Sequence, residues 1–320
     1  MTGALGNTVV TGATGFIGRE LCHQLLAAGH TLTGISRSAP PAGQFPAETP
    51  GLKMVTGDIL DREFLTAVMA GAETVFHLAG IAHVDKADPA RLLAVNAEGT
   101  QAVAEVAAEV GVHTMVLFSS SLAQAAEQQA PHATAYGESK LRGEAGLLRV
   151  ARGSSLSPVI LRPVNVYGPG MKGNIAAMIG LIRRRLLPPL PKLDTRVSLI
   201  GVEDLCRAAV LAATSEAARG KSYYVTDGEI YSLNAIESAI YRAMDRKPPR
   251  WHSPRAVFYL GALAMELWGR VSGRPGGFGL RTYHNLLADS RYSNQQISTE
   301  LGFVPRQTFY TALPELDGLK

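Results

Sequence analysis

One stretch near the N-terminus constrains this chain more than any other. It reads Val9-Val-Thr-Gly-Ala-Thr-Gly-Phe-Ile-Gly18. The β-branched run from Asn7 to Thr11 predicts a short strand. Leu21, Leu25 and Leu26 recur at helical spacing and predict a helix over 18–28. Between them stand three glycines. Gly12 permits a tight turn, Gly15 leaves nothing to obstruct a phosphate, and Gly18 lets the helix pack close to the strand. The helix N-terminus, with Thr14, Phe16 and Ile17, then presents free N–H groups and a partial positive charge. A glycine triplet alone is a common turn. With a strand before it and a helix after it, the pattern reads as a pyrophosphate cradle for a dinucleotide.

The rest of the first half keeps the same rhythm. Strand-like runs at 31–35, 52–55, 74–78, 115–118 and 158–161 alternate with helix-like runs at 61–69, 99–110 and 136–151. Strands separated by helices argue for an α/β, doubly wound parallel sheet of the Rossmann type. Residues 39–51, rich in Pro and Gly, read as a loop. After Pro163 the rhythm breaks, and prolines cluster at 188, 189 and 191. The expected division is a dinucleotide-binding part, 1–163, and a smaller, interleaved substrate-binding part, 164–320, some of whose segments return to the sheet.

Composition narrows the function classes. Apolar residues make up 46% and charged residues 18%, enough for a large core and too few charges for disorder. The net charge of +4 comes without a Lys/Arg block or aromatic-basic stripe, which argues against nucleic acid as a partner. Cys22 and Cys206 are far apart, lack metal-ligand spacing and read as core residues in a reducing compartment. No charged leader precedes an apolar segment at the N-terminus, so a cytoplasmic location is expected. The longest apolar run, Ala256 to Leu267, contains Glu266 and is too short to span a bilayer; it reads as a packed helix, with a place on a membrane surface as the alternative.

The second strand is where an acidic residue would bind an adenosine ribose. Ser36-Arg37-Ser38 stands there instead, and Arg37 suits a 2′-phosphate, so NADP is slightly favoured over NAD. Asp58 and Ile59 follow the third strand, where Asp58 either meets the adenine or caps the next helix. Tyr136 and Lys140 lie one helical turn apart on one face. A nearby ammonium and a positive nicotinamide would favour the phenolate, making Tyr136 a proton acceptor or donor for an alcohol–ketone pair. Ser120 or Ser121, at the preceding strand end, would hydrogen-bond the reacting oxygen.

Taken together, these residues resemble the extended short-chain dehydrogenase/reductase superfamily, in its NAD-dependent epimerase/dehydratase branch. The resemblance rests on Thr11 to Gly18, Gly57-Asp58, His77-Leu-Ala-Gly80, Val95-Asn96 with Gly99-Thr100, Ser119 to Ser121, Tyr136 to Lys140, Leu161-Arg-Pro163 and Tyr167-Gly-Pro-Gly170. It implies that Asn96 supports the active site, that Leu78, Ala79 and Gly80 pass along the cofactor, and that the chain after Pro163 approaches the nicotinamide amide. It also implies a homodimer paired through helices near 99–110 and 136–151.

Gly168 to Asn174, Leu186 to Pro191 and Arg196 to Leu205 are similar to enzymes acting at C4 of UDP-N-acetylhexosamines. That likeness implies a nucleotide-sugar substrate contacted by His83, Asn165, Lys172, Asn174 and Arg196. The expected activity is a 4-epimerase, or a 4-dehydrogenase or ketoreductase if the cofactor exchanges. The apolar, glycine-rich stretch 254–279 keeps open a second reading, a 3-beta-hydroxysteroid dehydrogenase-like or dihydroflavonol-reductase-like enzyme on a hydrophobic substrate. A non-catalytic cofactor sensor is disfavoured because Tyr136 and Lys140 are both present.

Overall fold

The computed structural model describes residues 5–41, 43–45, 49–82, 88–130, 133–272, 279, 283, 289–316 and 319. Along the chain run β1 (Thr8–Thr11), α1 (Phe16–Ala27), β2 (Leu32–Ser36), β3 (Leu52–Thr56), α2 (Arg62–Met69), β4 (Thr74–His77) and α3 (Pro89–Leu93). A π-helical turn, Ala94–Glu98, leads into α4 (Gly99–Glu109), followed by β5 (Thr114–Phe118), α5 (Ala123–Glu127), α6 (Ala135–Arg152) and β6 (Ser157–Pro163). Then come β7 (Asn165–Tyr167), α7 (Asn174–Arg183), β8 (Arg196–Gly201), α8 (Val202–Thr214), β9 (Ser222–Val225), β10 (Ile230–Ser232), α9 (Leu233–Ala243) and α10 (Arg255–Ser272). Short helices at Gln295–Leu301 and Phe309–Ala312 follow.

Two compact units divide these elements. The first comprises 1–164, 202–225 and 293–304; the second comprises 165–201, 226–292 and 305–320.

In the first unit a seven-stranded parallel sheet runs β3-β2-β1-β4-β5-β6-β9. This is the doubly wound order that the alternation of strands and helices predicts. All four residues of β1 are β-branched and buried, as a central parallel strand requires. Beneath the helices lies a core built from Val9, Leu65, Val75, Val103, Met115 and Ile160. Cys22 on α1 and Cys206 on α8 are free and buried, and burial pushes the Cys22 thiol up to about 12.

The winding reverses at β1-β4, so the connections leaving the C-terminal ends of these two strands run to opposite sides, the place where ligands of such sheets bind. β1 and β4 are in register, Thr11 opposite His77. The strand ends that carry the sequence-predicted residues therefore face one edge of the sheet.

The second unit has its own core, in which Tyr167, Ile182, Leu199, Ile236 and Phe309 are buried. Its three-stranded sheet runs β10-β8-β7, antiparallel then parallel. Asp227 organises this core. Its carboxylate accepts from the hydroxyls of Tyr231 (2.7 Å) and Tyr167 (3.2 Å), and its amide donates to Leu199 O (2.7 Å). Tyr231 Oη in turn accepts from the amide of Phe309 (3.0 Å), whose ring meets Tyr167 and Tyr231 edge-on. Burial raises the carboxyl of Asp227 above its ordinary range. Asp227→Ala removes the acceptor that two buried phenols share. Its expected cost is about 2–4 kcal/mol, measurable by denaturant unfolding.

Candidate active site

β1 ends in Thr11, and Gly12 makes the turn. Its φ of +72° is open to glycine, and a Cβ there would lie 2.8 Å from Ala79 N. A Cβ on Gly18 would fall 2.2 Å from Gly12 O, so the helix meets the turn with no room for a side chain. Gly15, exposed and extended, caps α1 with no side-chain hydrogen bond, and no acidic residue lies in the first turn. Bare N–H groups at a 12-residue helix, beside a glycine-lined turn, fit a pyrophosphate.

Around that turn the other cofactor residues fall into place. Arg37 is exposed one residue past β2, where Ser36 Oγ donates to Ser38 O (2.7 Å) and shapes the turn. Asp58 is exposed and accepts from Leu60 N (3.0 Å), while Ile59 is buried. The cap of α2 is Asp61, which accepts from Phe64 N; capping, one of the two roles open to Asp58, therefore belongs to its neighbour. Leu78 and Ala79 donate their amides to Thr11 Oγ1 at 3.2 and 3.1 Å.

That threonine begins a buried relay. Having accepted two N–H groups, Thr11 Oγ1 gives its own proton to His77 Nδ1 (2.7 Å). His77 then carries its proton on Nε2 and donates to Thr100 Oγ1 (3.1 Å), which donates to Asn96 O (2.7 Å). Burial, then the charge of Lys140, lowers His77 to about 3, so it is a neutral structural link.

Asn96 itself is fully buried in the π-helical turn. Its Oδ1 accepts from Ile81 N (2.7 Å), and its Nδ2 donates to Ile81 O (3.1 Å) and Ser139 Oγ (3.0 Å). A Cβ on Gly80 would come within 2.9 Å of Asn96 Oδ1 and 3.3 Å of Lys140 Nζ. The strip from Leu78 to Ile81 is thus held flat over the lysine.

Tyr136 and Lys140 come from α6, whose N-cap Thr134 accepts from Gly137 N (3.0 Å) and fixes the first turn. Lys140 is buried and donates to Phe118 O (2.9 Å), the last residue of β5. Burial lowers its ammonium to about 8, against a raising influence from Glu144. Ser120 and Ser121 are both buried just past the end of β5, and Ser120 bears on the Tyr136 hydroxyl. The amide of Ser121 donates to Pro163 O (2.9 Å), tying the ends of β5 and β6 together. Burial outweighs the influence of Ser120 and pushes Tyr136 up to about 12. The expected bias toward phenolate is therefore absent from the chain's own environment, because desolvation of the ring exceeds the help of nearby groups.

Behind these residues lies a network that sequence reasoning missed. Glu144, one turn beyond Lys140, accepts from Ser119 Oγ and takes the fork of Arg162 through Nε (3.0 Å) and Nη2 (2.6 Å). Arg162 Nη1 reaches Glu127 (2.7 Å) and Tyr224 Oη (3.1 Å). The available signal was a lone Arg in the apolar strand Val159-Ile-Leu-Arg162 and a Glu at helical spacing from Tyr136 and Lys140.

The remaining predicted residues lie in the second unit. Asn165 opens β7, Lys172 precedes α7, Asn174 begins α7 and Arg196 begins β8; all four are exposed. The amide of Arg196 donates to Asp289 (2.8 Å). His83 lies outside the described residues.

Comparison with known proteins places this geometry. The chain is 28% identical over 283 residues to the UDP-glucose 4-epimerase of Vibrio cholerae, covering 83% of this chain and 82% of that one. It is 29% identical over 293 residues to the ceramide reductase of Caulobacter vibrioides, covering 89% and 86%. Among solved structures, MoeE5 in complex with UDP-glucuronic acid and NAD superposes with a TM-score of 0.75 at 23% identity, covering 97% of each chain, which speaks to the fold. Residues 8–226 match the NAD dependent epimerase/dehydratase family. With its glycine turn, parallel sheet and Tyr136/Lys140 helix inside that match, this chain belongs to the NAD dependent epimerase/dehydratase family and is an NAD(P)-dependent enzyme of the extended short-chain dehydrogenase/reductase type.

Proposed function

We propose that the chain oxidises and reduces C4 of a nucleotide-diphospho-sugar, as an epimerase or as a 4-dehydrogenase/ketoreductase. The observation that carries the chemistry is Tyr136 one helical turn before the buried Lys140 on α6, with Lys140 tied to the end of β5. A dinucleotide with its pyrophosphate at Gly12 to Gly18 and its length along Leu78 to Gly80 would supply the nicotinamide that accepts and returns the hydride. Tyr136 Oη gives its proton to the oxygen as the carbonyl is reduced, and the phenolate left behind takes a proton back when the alcohol is oxidised. Ser120 donates a hydrogen bond to the same oxygen. Because burial holds Tyr136 protonated, the chain alone is set to donate a proton to a carbonyl. Lys140 supplies positive charge below its lowered value near 8.

The second unit supplies the substrate side of this reading. Asn165, Asn174, Lys172 and Arg196 offer two amides and two cations to a sugar and a diphosphate. The similarity to a UDP-glucose 4-epimerase supports a UDP-sugar; the UDP-N-acetylhexosamine type rests on the resemblance of 168–174, 186–191 and 196–205 alone. Arg37 supports NADP. A cytoplasmic homodimer paired through α4 and α6, acting in polysaccharide synthesis, belongs to the same reading. A second reading, a hydrophobic hydroxy or carbonyl substrate, is favoured by the similarity to a ceramide reductase and by the apolar surface of α10.

Three measurements test these assignments. Tyr136→Phe should lower kcat by about 10²–10⁴-fold with the fold intact. UDP at saturation should raise the melting temperature by about 5 °C, with no shift from steroids or ceramides; the reverse pattern selects the hydrophobic substrate. Carbonyl reduction should decline as pH rises through about 8, where Lys140 loses its proton. Glu144→Gln removes the one influence that raises Lys140, so it should move that alkaline limb to lower pH. An unmoved limb separates Glu144 from Lys140.

A further inference from the structure

The helix α10 is apolar on both sides. Phe258 and Ala262 are buried in the core of the second unit. On the opposite side, at helical spacing, lie Val257, Leu260, Ala264, Leu267 and Trp268, with no charged side chain among them. Val257 is 60% exposed, Leu260 59% and Trp268 71%, and Trp251, just before the helix, is 60% exposed. The sequence predicted a packed helix, since a helix apolar all round is normally enclosed. Here one side is packed and the other is open. Contiguous apolar surface of this kind marks a place where something docks.

The surroundings say what kind of partner fits. Residues 183–194 and 245–255 together carry eight Arg and Lys against two Asp. Hydrogen bonds join the two segments. Arg246 donates to Ile182 O (2.8 Å) and Arg183 O (3.1 Å), His252 meets Leu190 O (3.2 Å), and Arg255 donates to Lys192 O (3.2 Å). Arg183, Arg184 and Arg185 are consecutive and exposed at the end of α7. A cationic cluster therefore borders the N-terminal end of the apolar helix.

We propose that α10 docks this protein on an anionic lipid bilayer. The outer side of the helix enters the boundary between headgroups and acyl chains, with Trp251 and Trp268 at the interface. The arginine cluster meets the lipid phosphates. The helix lies on the surface: no described helix is long and apolar enough to cross a membrane.

The chain has two tryptophans, and both sit in this patch, so its emission reports directly on docking. Vesicles of equal parts phosphatidylglycerol and phosphatidylcholine should shift the emission to the blue and sediment the protein. Phosphatidylcholine alone should not. Leu260→Glu and Val257→Glu, whose side chains face outward, should each weaken vesicle binding by about tenfold or more with an unchanged circular dichroism spectrum. Arg183→Gln, Arg184→Gln and Arg185→Gln together should do the same and flatten the salt dependence. The proposal is overturned if vesicles leave the emission unchanged, or if neutral vesicles bind as tightly as anionic ones. It is equally overturned if the emission is already blue without lipid. In that case, dependence on protein concentration assigns the face to a second copy, and independence assigns it to the chain's own residues.

Discussion

Two cations, Lys140 and Arg162, are buried within the first unit, and the Glu144 carboxylate is the charge that makes both tolerable. An ammonium or guanidinium withdrawn from water without a counter-charge costs several kcal/mol or gives up its proton. Arg162 escapes that penalty by forking onto Glu144, with Glu127 and Tyr224 taking its other nitrogen. Lys140 has the carbonyl of Phe118 and the field of Glu144. Since Tyr136, Lys140 and Glu144 share one face of α6, the helix cannot rotate about its axis without unpairing Arg162. The ion pair between α6 and β6 therefore sets the direction in which the reactive phenol points. It also ties Ser119, at the end of β5, to the same carboxylate, so strand end and helix move as one piece.

A second, uncharged relay does the equivalent work on the cofactor side. Thr11, His77, Thr100 and Asn96 connect the end of β1 to the π-helical turn, and Asn96 carries the connection on to Ile81 and to Ser139 of α6. Each hydroxyl and ring nitrogen has one assigned role, so the relay has a single direction. A charged His77 would present two donors and break it. Burial forecloses that by lowering its proton affinity far below neutrality. The extra turn of π-helix at Ala94–Glu98 is what aims Asn96 at both neighbours. A regular helix would rotate that side chain by most of a residue's turn.

The sequence was most legible where periodicity and turn chemistry agree. Alternating β-branched strands and leucine-spaced helices marked six of the sheet's seven strands, β9 entering only as a segment expected to return to it, and the glycines at 12, 15 and 18 marked the turn after β1. Less legible were elements too short to show a period: α3, the π-helical turn, α5, β7 and β10. Long-range pairing hid the rest. Nothing local tells that Glu144 and Arg162 meet across 18 positions, or that Asp227 holds two tyrosines. The packing of α10 was legible only on one side: Phe258 and Ala262 are buried, while Val257, Leu260 and Trp268 are exposed. An apolar periodic run states that a surface must be covered, and says nothing of whether protein, a second chain or lipid covers it.

That distinction bears on substrate as well as on location. The hydride and proton chemistry resides in the first unit, and its residues recognise a secondary alcohol or ketone, a feature shared by sugars, sterols and acylated bases alike. Selectivity must come from contacts beyond the reacting carbon, and the exposed amides and cations at 165–196 are the groups that the proposed nucleotide-sugar reading asks to supply them. A surface helix on lipid is compatible with either class but serves each differently. For a soluble nucleotide-sugar it fixes where in the cell the product is released. For a lipid carbonyl it shortens the path from bilayer to active site, and turnover would then fall with docking. Docking and substrate choice are therefore separable properties of the second unit, carried by different residues, and only one of them involves the outer side of α10.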